Sequence, residues 1–174
     1  MPASVKGGVE LRKALRKFSP DLAKDLPKEV GAALKPIVKN ARGYLPDNSQ
    51  VLSGWLARPN SVARFPSYDV KIARAGISYR TTPSKPNRRG FRSLARLINK
   101  SAAGAIYETM GRKTPSSRMV VNQNNKYGSQ MKGDAKMEGR ALFRAYDENN
   151  GKAREAVIKA IKGAADKLNA RAKG

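Results

Sequence analysis

Residues 19–41 read SPDLAKDLPKEVGAALKPIVKNA, and this stretch decides the fold of the N-terminal third of the chain. Ser19 followed by Pro20 is a typical helix start, because a hydroxyl can cap the first turn and proline fits the first helical position. Apolar residues then recur at spacings of three and four, which places them on one face of a helix. They are Leu22, Leu26, Val30, Ala33, Leu34, Ile37, Val38 and Ala41. The sequence therefore predicts a long amphipathic helix over residues 20–42.

Two prolines, Pro27 and Pro36, lie inside this predicted helix. Each lacks a backbone N–H and its ring crowds the preceding turn, so we expect a kink or a break near one of them. A shorter amphipathic segment, from Val9 to Phe18, precedes the helix, and residues 1–18 are interpreted as an N-terminal arm. The length of 174 residues favours a single domain over the whole chain.

The middle of the chain carries a pattern typical of strands. Residues 68–80, YDVKIARAGISYR, alternate apolar and polar side chains, with Val70 and Ile72 on one face. A glycine at position 76 marks a turn or bulge before Ile77. We therefore expect most of this segment to be strand.

Shorter segments around it are predicted from the same kind of pattern. Residues 55–56 belong to an earlier strand that ends at residues 59–60, and residues 81–87 are a loop with two prolines. Residues 93–98 are compatible with either strand or helix, because short apolar runs do not define a period. The alanine-rich residues 101–108 favour a short helix.

The C-terminal part combines a polar segment with a second long helix. Residues 111–137 are rich in Asn, Gln and Gly, which is typical of a long flexible loop. An apolar stripe then predicts a helix over about residues 150–171. We expect Leu142, Phe143, Val157, Ile158, Ile161 and Leu168 to pack on the sheet and on Leu26, Val30 and Leu34. The order of elements predicts an α+β fold, in which an antiparallel sheet is packed by a long N-terminal helix and a C-terminal helix.

Positive charge dominates the composition. The chain has 36 Lys+Arg against 13 Asp+Glu, a formal net charge of +23, so it repels its own copies and attracts polyanions. The absence of Cys and His removes disulfides, thiolate metal sites, zinc fingers and catalytic triads built on histidine. The carboxylates are scattered and no phosphate-binding loop motif is present. We therefore expect no enzymatic activity, no metal and no cofactor.

The densest positive charge lies between residues 80 and 118, where Glu108 is the only acid. We interpret this stretch as a surface that faces DNA or an acidic partner protein, the alternative being a solvated basic face. The candidate residues are Arg80, Lys85, Arg88, Arg89, Arg92, Arg96, Arg112, Lys113 and Arg118. Pro83 and Pro86 stiffen the segment, which slightly favours a protein neighbour. No motif for reading bases is present, so contacts to DNA would not depend on base sequence.

Trp55 is the only tryptophan of the chain. A lone tryptophan is typical of a core anchor, whereas at a subunit boundary it would be a binding hot spot. Together with Tyr107 and Glu108, it is a candidate residue of a subunit interface.

Three segments, taken in order, carry a resemblance to a known family. The first, residues 34–56, contains a helix end, the Pro-containing step at residues 45–46 and the Gly-centred motif LSGWL. The second is residues 105–112, AIYETMGR, and the third is residues 140–147, RALFRAYD. Together they resemble the neck or tail-completion (head–tail joining) proteins of tailed bacteriophages.

This resemblance implies a structural virion protein of the head–tail junction, forming a ring, commonly hexameric, between the head connector and the tail tube. It implies no catalytic residues. The implied partners are further copies of the chain, neighbouring neck and tail-tube proteins, and genome DNA in the channel, with no membrane partner. The implied location is the neck or tail of the virion, after assembly in the host bacterial cytoplasm.

Other functions stay open at this point. A free-standing nucleic-acid-binding protein of ribosomal or nucleoid type would have the same charge, and a nuclease without a recognisable motif is a further alternative. Within a virion, a tail terminator that caps the tail tube is another. The presence of portal, capsid and tail-tube genes beside this gene would favour the neck assignment.

Overall fold

The structure is a computed structural model that describes residues 7–58, 66–110, 118–133 and 138–173, apart from the side chains of Ser53, Ser129 and Lys173. It is mostly helical, at 65%, with a small two-stranded antiparallel sheet, which confirms the α+β prediction. In chain order the elements are α1 (Gly8–Phe18), α2 (Pro20–Gly43), α3 (Val70–Gly76), β1 (Ile77–Arg80), β2 (Arg96–Asn99), α4 (Ala102–Thr109), α5 (Arg118–Tyr127) and α6 (Leu142–Lys173). Short 3-10 turns cover Ser53–Trp55 and Gly128–Gln130.

The chain divides into two compact units, each assembled from separate segments. Of the described residues, unit 1 contains 7–36, 79–96 and 150–173, and unit 2 contains those within 37–78 and 97–149. Helices α2 and α6 each contribute residues to both units. The expectation of a single domain stays a prediction.

Packing among α1, α2 and α6 forms the core of unit 1. Its buried members are Leu15, Leu22, Leu26, Val30, Ala160 and Ala164. Half-buried apolar residues surround them, among them Leu34, Leu94, Val157, Ile161 and Leu168. The predicted packing of the C-terminal stripe against Leu26 and Val30 is therefore confirmed for Val157, Ile161 and Leu168.

Helix α6 begins earlier than predicted, at Leu142 rather than near residue 150. This places Leu142 and Phe143 in unit 2, and the cluster around Leu26 and Val30 does not include them, so the expected packing on those residues is wrong while that on the sheet stays a prediction. The cause is a cap supplied from another part of the chain, which is described with the site below.

The N-terminal helix is confirmed almost residue for residue, since α2 runs from Pro20 to Gly43. It continues through Pro27 and Pro36 without a break, while the alternative expectation of a kink stays a prediction. Each proline removes one N–H donor, but Leu26, Val30 and Ile37 on the same helix are almost completely buried. Burial of these side chains outweighs the two missing hydrogen bonds.

Within residues 1–18, interpreted as an N-terminal arm, residues 8–18 form helix α1. Leu15 on this helix has no exposed surface and belongs to the core of unit 1. The amphipathic pattern from Val9 to Phe18 therefore marks a packed helix.

The strand predicted over residues 68–80 is wrong for its first part. Val70–Gly76 is helix α3, and only Ile77–Arg80 is strand. The Asp69 side chain accepts hydrogen bonds from the backbone N–H groups of Lys71, at 2.7 Å, and Ile72, at 3.0 Å, and so caps the helix start. Ile72 is 66% exposed, so it does not belong to a buried strand face.

Three further predictions in the middle of the chain have different outcomes. Trp55 ends a 3-10 turn, and Leu56 forms only an isolated bridge with Tyr68, while the expected strand end at residues 59–60 lies outside the described residues. The ambiguous segment 93–98 becomes strand from Arg96 onward. The short helix expected over residues 101–108 is confirmed as α4.

The segment 111–137, expected to be a flexible loop, contains helix α5 over Arg118–Tyr127. Gln123 and Tyr127 of this helix are buried. Gln123 and Tyr127 are four residues apart, so they lie on the same face of the helix. This inward face combines one polar and one aromatic residue, which explains why the sequence shows little apolar periodicity here.

We predict that Leu26→Ala lowers the free energy of unfolding by about 2–5 kcal/mol, because it removes a buried side chain and leaves a cavity. Urea denaturation followed by circular dichroism measures this change. Ile72→Ala, at an exposed position, is the control and should change stability by less than about 0.5 kcal/mol. Equal effects of the two substitutions would contradict the described core.

An ion pair near the start of α2 leads to a pH prediction. Arg171 donates to both carboxylate oxygens of Asp21, at 2.8 and 2.7 Å, and this bonding lowers the pKa of Asp21 to about 2. The pair therefore stabilises the fold above the unfolded-state pKa of about 4 and loses its effect as the pH falls through about 2. In Arg171→Gln we expect the carboxyl pKa, measured by NMR titration, to return towards 3.8. Arg154→Gln, elsewhere on α6, should leave it unchanged.

Candidate functional site

Five of the basic residues predicted to face a partner are exposed on one hairpin of unit 1. They are Arg80, Lys85, Arg88, Arg89 and Arg92. We call residues 79–96 the basic hairpin. Its two limbs are paired beyond the strands themselves, since the backbone N–H of Ser84 donates to the carbonyl of Ser93 at 3.0 Å.

The tip of the basic hairpin is a tight, well-bonded turn. The N–H of Asn87 donates to the carbonyl of Phe91, and the N–H of Gly90 donates to the carbonyl of Asn87, both at 2.9 Å. The Asn87 side-chain oxygen accepts from the N–H groups of Arg89 and Phe91, each at 2.9 Å. Gly90 has a φ of +74°, the left-handed conformation that closes three-residue hairpin loops. Arg88 and Arg89 are therefore held at the apex by the backbone.

Helices of unit 1 hold the root of the basic hairpin. Tyr79 packs on α2 at Gly31, where an added Cβ would lie 2.9 Å from the Tyr79 ring. The guanidinium of Arg12, on α1, donates to the carbonyl of Thr81. Leu94, on the returning limb, belongs to the apolar cluster of unit 1. The root is therefore largely half-buried and bonded, while the tip is open to solvent.

The remaining basic candidates are placed differently. Arg96 is the first residue of β2 and is half-buried. Arg118 is exposed at the start of α5, in unit 2. Arg112 and Lys113 lie outside the described residues. The structure thus brings together the candidates from Arg80 to Arg96 on one hairpin.

Trp55, Tyr107 and Glu108, the candidates for a subunit interface, are buried inside unit 2. The Trp55 indole donates to the carbonyl of Pro66 at 3.0 Å, and its ring lies 5.1 Å from the Tyr68 ring. The Tyr107 hydroxyl donates to the Gln130 side chain at 2.7 Å, and burial raises the Tyr107 pKa to about 12. These side chains make contacts within the chain, so we do not propose them as contacts to a neighbouring subunit.

Glu108 caps the N-terminus of α6. Its carboxylate accepts hydrogen bonds from the N–H groups of Ala141 and Leu142, both at 2.9 Å, and of Phe143 at 2.7 Å. A negative charge at this end also complements the helix dipole. Gly139 makes the arrangement fit, because a Cβ at that position would overlap a carboxylate oxygen of Glu108.

Arg140 donates hydrogen bonds to backbone carbonyls at the C-terminal ends of two other helices, α4 and α5. Its guanidinium donates to the carbonyls of Tyr107, at 2.8 Å, and Met110, at 2.6 Å, at the end of α4. It also donates to the carbonyl of Tyr127, at the end of α5, at 3.0 Å. A positive charge is favourable at helix C-termini, where carbonyls lack partners within the helix. The side chain has no exposed surface, so its role is structural.

The Glu108 cap and the Arg140 contacts were missed by sequence reasoning. One signal for the cap was available, because Ala141, the residue before α6, has no side-chain oxygen to cap the helix. Glu108 is also the only acid between Val70 and Arg118. For Arg140 no comparable signal exists, since its partners are backbone carbonyls on two distant helices.

The described residues contain no candidate metal cluster and no candidate membrane-spanning helix. Within them, no three acidic side chains come together as a metal site would require, and the chain has no His or Cys. No helix in the described ranges is both long enough and apolar enough to cross a bilayer.

Comparisons with protein-family models, with curated proteins and with solved structures find no match to this chain.

We predict that Gly139→Ala lowers the free energy of unfolding by about 2 kcal/mol or more, because the new methyl group must displace the carboxylate that caps α6. Thermal and urea denaturation measure the loss. The matched control is Gly163→Ala, also a glycine but in the middle of α6 with open space around its added Cβ. There alanine should stabilise the protein by about 0.5–1 kcal/mol, since glycine is a poor helix former. A stable Gly139→Ala protein would show that Glu108 does not cap α6.

Proposed function

We propose that this chain is a structural protein of the bacteriophage head–tail junction, and that it forms a ring of identical subunits between the head connector and the tail tube. Its place of action is the neck or tail of the virion. The proposed role is to join two assemblies, with no enzymatic step.

The observation that carries the proposal is direct bonding among the three segments with family resemblance. Tyr44, from the first segment, lies under the Arg144 guanidinium of the third, 4.0 Å from the ring centre. The Tyr107 hydroxyl of the second segment is 3.4 Å from the Tyr44 carbonyl. Glu108 of the second segment caps the helix start in the third. Segments that resemble one family in separate stretches thus share one contact cluster, as expected of residues that define a common fold.

The charge of the chain fits a role inside a larger assembly. A subunit with a net charge of +23 repels its copies, so ring formation needs DNA or acidic neighbours that offset the repulsion. Both are partners that a head–tail junction would supply.

The basic hairpin favours a second candidate, a free-standing nucleic-acid-binding protein of nucleoid type. Its exposed arginines suit phosphate contacts without base reading. This candidate does not account for the three resembling segments, and we therefore place it second.

The decisive experiment deletes the gene in the phage or prophage that carries it and examines the lysate by electron microscopy. We expect DNA-filled heads, separate tails of normal length and no plaques, because the joining step alone is lost. Purified protein added to such a lysate should restore infectious particles.

Each other outcome contradicts the neck assignment in a distinguishable way. Empty heads or missing shells would indicate a role in packaging or capsid assembly. Tails of uncontrolled length would indicate a tail terminator. Normal, infectious particles would favour the nucleoid-type alternative.

A further inference from the structure

We propose that the basic hairpin is a DNA-binding arm, a two-stranded ribbon that enters a groove of duplex DNA and contacts phosphates with the arginines of its tip. This inference does not rest on the head–tail assignment, because it concerns the purified protein and duplex DNA alone.

The first support is that the cations of the basic hairpin have no acidic partners among the described residues. No Asp or Glu occurs between Val70 and Tyr107. Among the described residues, none of the ion pairs involves a cation of the basic hairpin. Lys85, Arg88 and Arg89 are exposed, so their charges face solvent and are available to an external polyanion.

The second support is the shape of the arm. The major groove of B-form DNA is about 12 Å wide and admits a two-stranded β-ribbon. The limbs of the basic hairpin are hydrogen-bonded at Ser84 and Ser93, and again at Asn87 and Phe91, so two backbones run side by side beyond the regular strands. Its root is anchored by Arg12 and Tyr79, which leaves the tip as the part that can enter a groove.

The third support is the pre-formed apex. Asn87 and Gly90 fix the turn through backbone bonds and a left-handed glycine, so two adjacent arginines are presented without ordering a loop on binding. Binding that orders fewer groups loses less conformational entropy. Arginine rather than lysine at the apex also suits bidentate phosphate contacts.

The composition of the tip favours DNA over an acidic protein. Protein–protein interfaces have apolar centres depleted in charge, whereas protein–DNA interfaces are polar and strongly positive. Phe91 is the one large exposed apolar side chain of the tip, at 48% exposure, among four exposed cations. We therefore argue for DNA, although the two prolines of this loop slightly favoured a protein neighbour.

The experiment measures binding of the purified full chain to a mixed-sequence DNA duplex by fluorescence anisotropy over a range of salt concentrations. The test variant is Lys85→Gln/Arg88→Gln/Arg89→Gln. Arg92 is left unchanged because its Nε donates to the Ser84 carbonyl at 2.9 Å and supports the ribbon. The matched control is Lys152→Gln/Arg154→Gln/Lys159→Gln, three exposed cations of α6 with the same loss of charge.

We expect the tip variant to bind at least about tenfold more weakly at 0.1 M salt, with a slope of log K against log salt shallower by about 2–3, because each phosphate contact contributes about −0.9. The control should change the slope by less than about 1. Equal losses in the two variants would overturn the proposal, since only the net charge would then matter.

A variant without any charge change tests the shape of the arm. Asn87→Ala removes the side-chain oxygen that holds the turn, and we expect about three- to tenfold weaker DNA binding with an unchanged melting temperature, because the apex must be ordered on binding. Unchanged affinity would show that the turn geometry plays no part. This variant also keeps the proposal testable if the triple substitution fails to fold.

Competition distinguishes the partner. A-form duplex RNA has a deep, narrow major groove, so it should compete at least about tenfold less well than DNA of the same length. Polyglutamate should compete weakly. Equal competition by RNA would overturn groove entry, and better competition by polyglutamate would assign the arm to an acidic protein.

Discussion

The carboxylate of Glu108, buried against the start of α6, is the contact on which unit 2 depends. The chain before α6 provides no capping side chain, so the first N–H groups of the longest helix take their acceptor from α4. Gly139 leaves the space that this carboxylate needs, and Arg140 bonds the carbonyls at the ends of α4 and α5. Glu108 lies at a helix N-terminus and Arg140 at helix C-termini, so each charge complements the helix dipole. This favourable interaction offsets the free-energy cost of burying the two charged side chains.

Unit 1 uses its charges differently. Its core consists of aliphatic side chains from α1, α2 and α6, and the cations of the basic hairpin take no part in it. One arginine of unit 1 that lies outside the hairpin, Arg12 on α1, is buried. It holds the hairpin root by donating to the Thr81 carbonyl. Arginine thus has a structural role in both units, at Arg12 and at Arg140, while the arginines at the hairpin tip are exposed to solvent.

How far the sequence predicts this fold depends on whether a segment is stabilised by its own pattern or by distant contacts. The stripe of α2 has enough turns to define its period, and α2 is where it was expected. The segment 70–76 is too short for its apolar pattern to define a period. The cap from Asp69 decides in favour of helix. The start of α6 depends on Glu108, more than thirty residues away, and local pattern carries no information on such a contact. The basic surface is predictable from the density of positive charge. The turn at Asn87–Gly90, which shapes its tip, also has a hairpin signature in the sequence, although the expectation for this segment was only a loop.

The composition of unit 1 has a consequence for synthesis of the protein. Leu22, Leu26 and Val30 are translated before their core partners Ala160 and Ala164, which lie much later in the chain. At about 5–20 residues per second, roughly 130 intervening residues take about 7–26 s to translate. During that interval the apolar face of α2 has no α6 to cover it. We therefore expect this apolar face of the nascent chain to be prone to aggregation until α6 is complete.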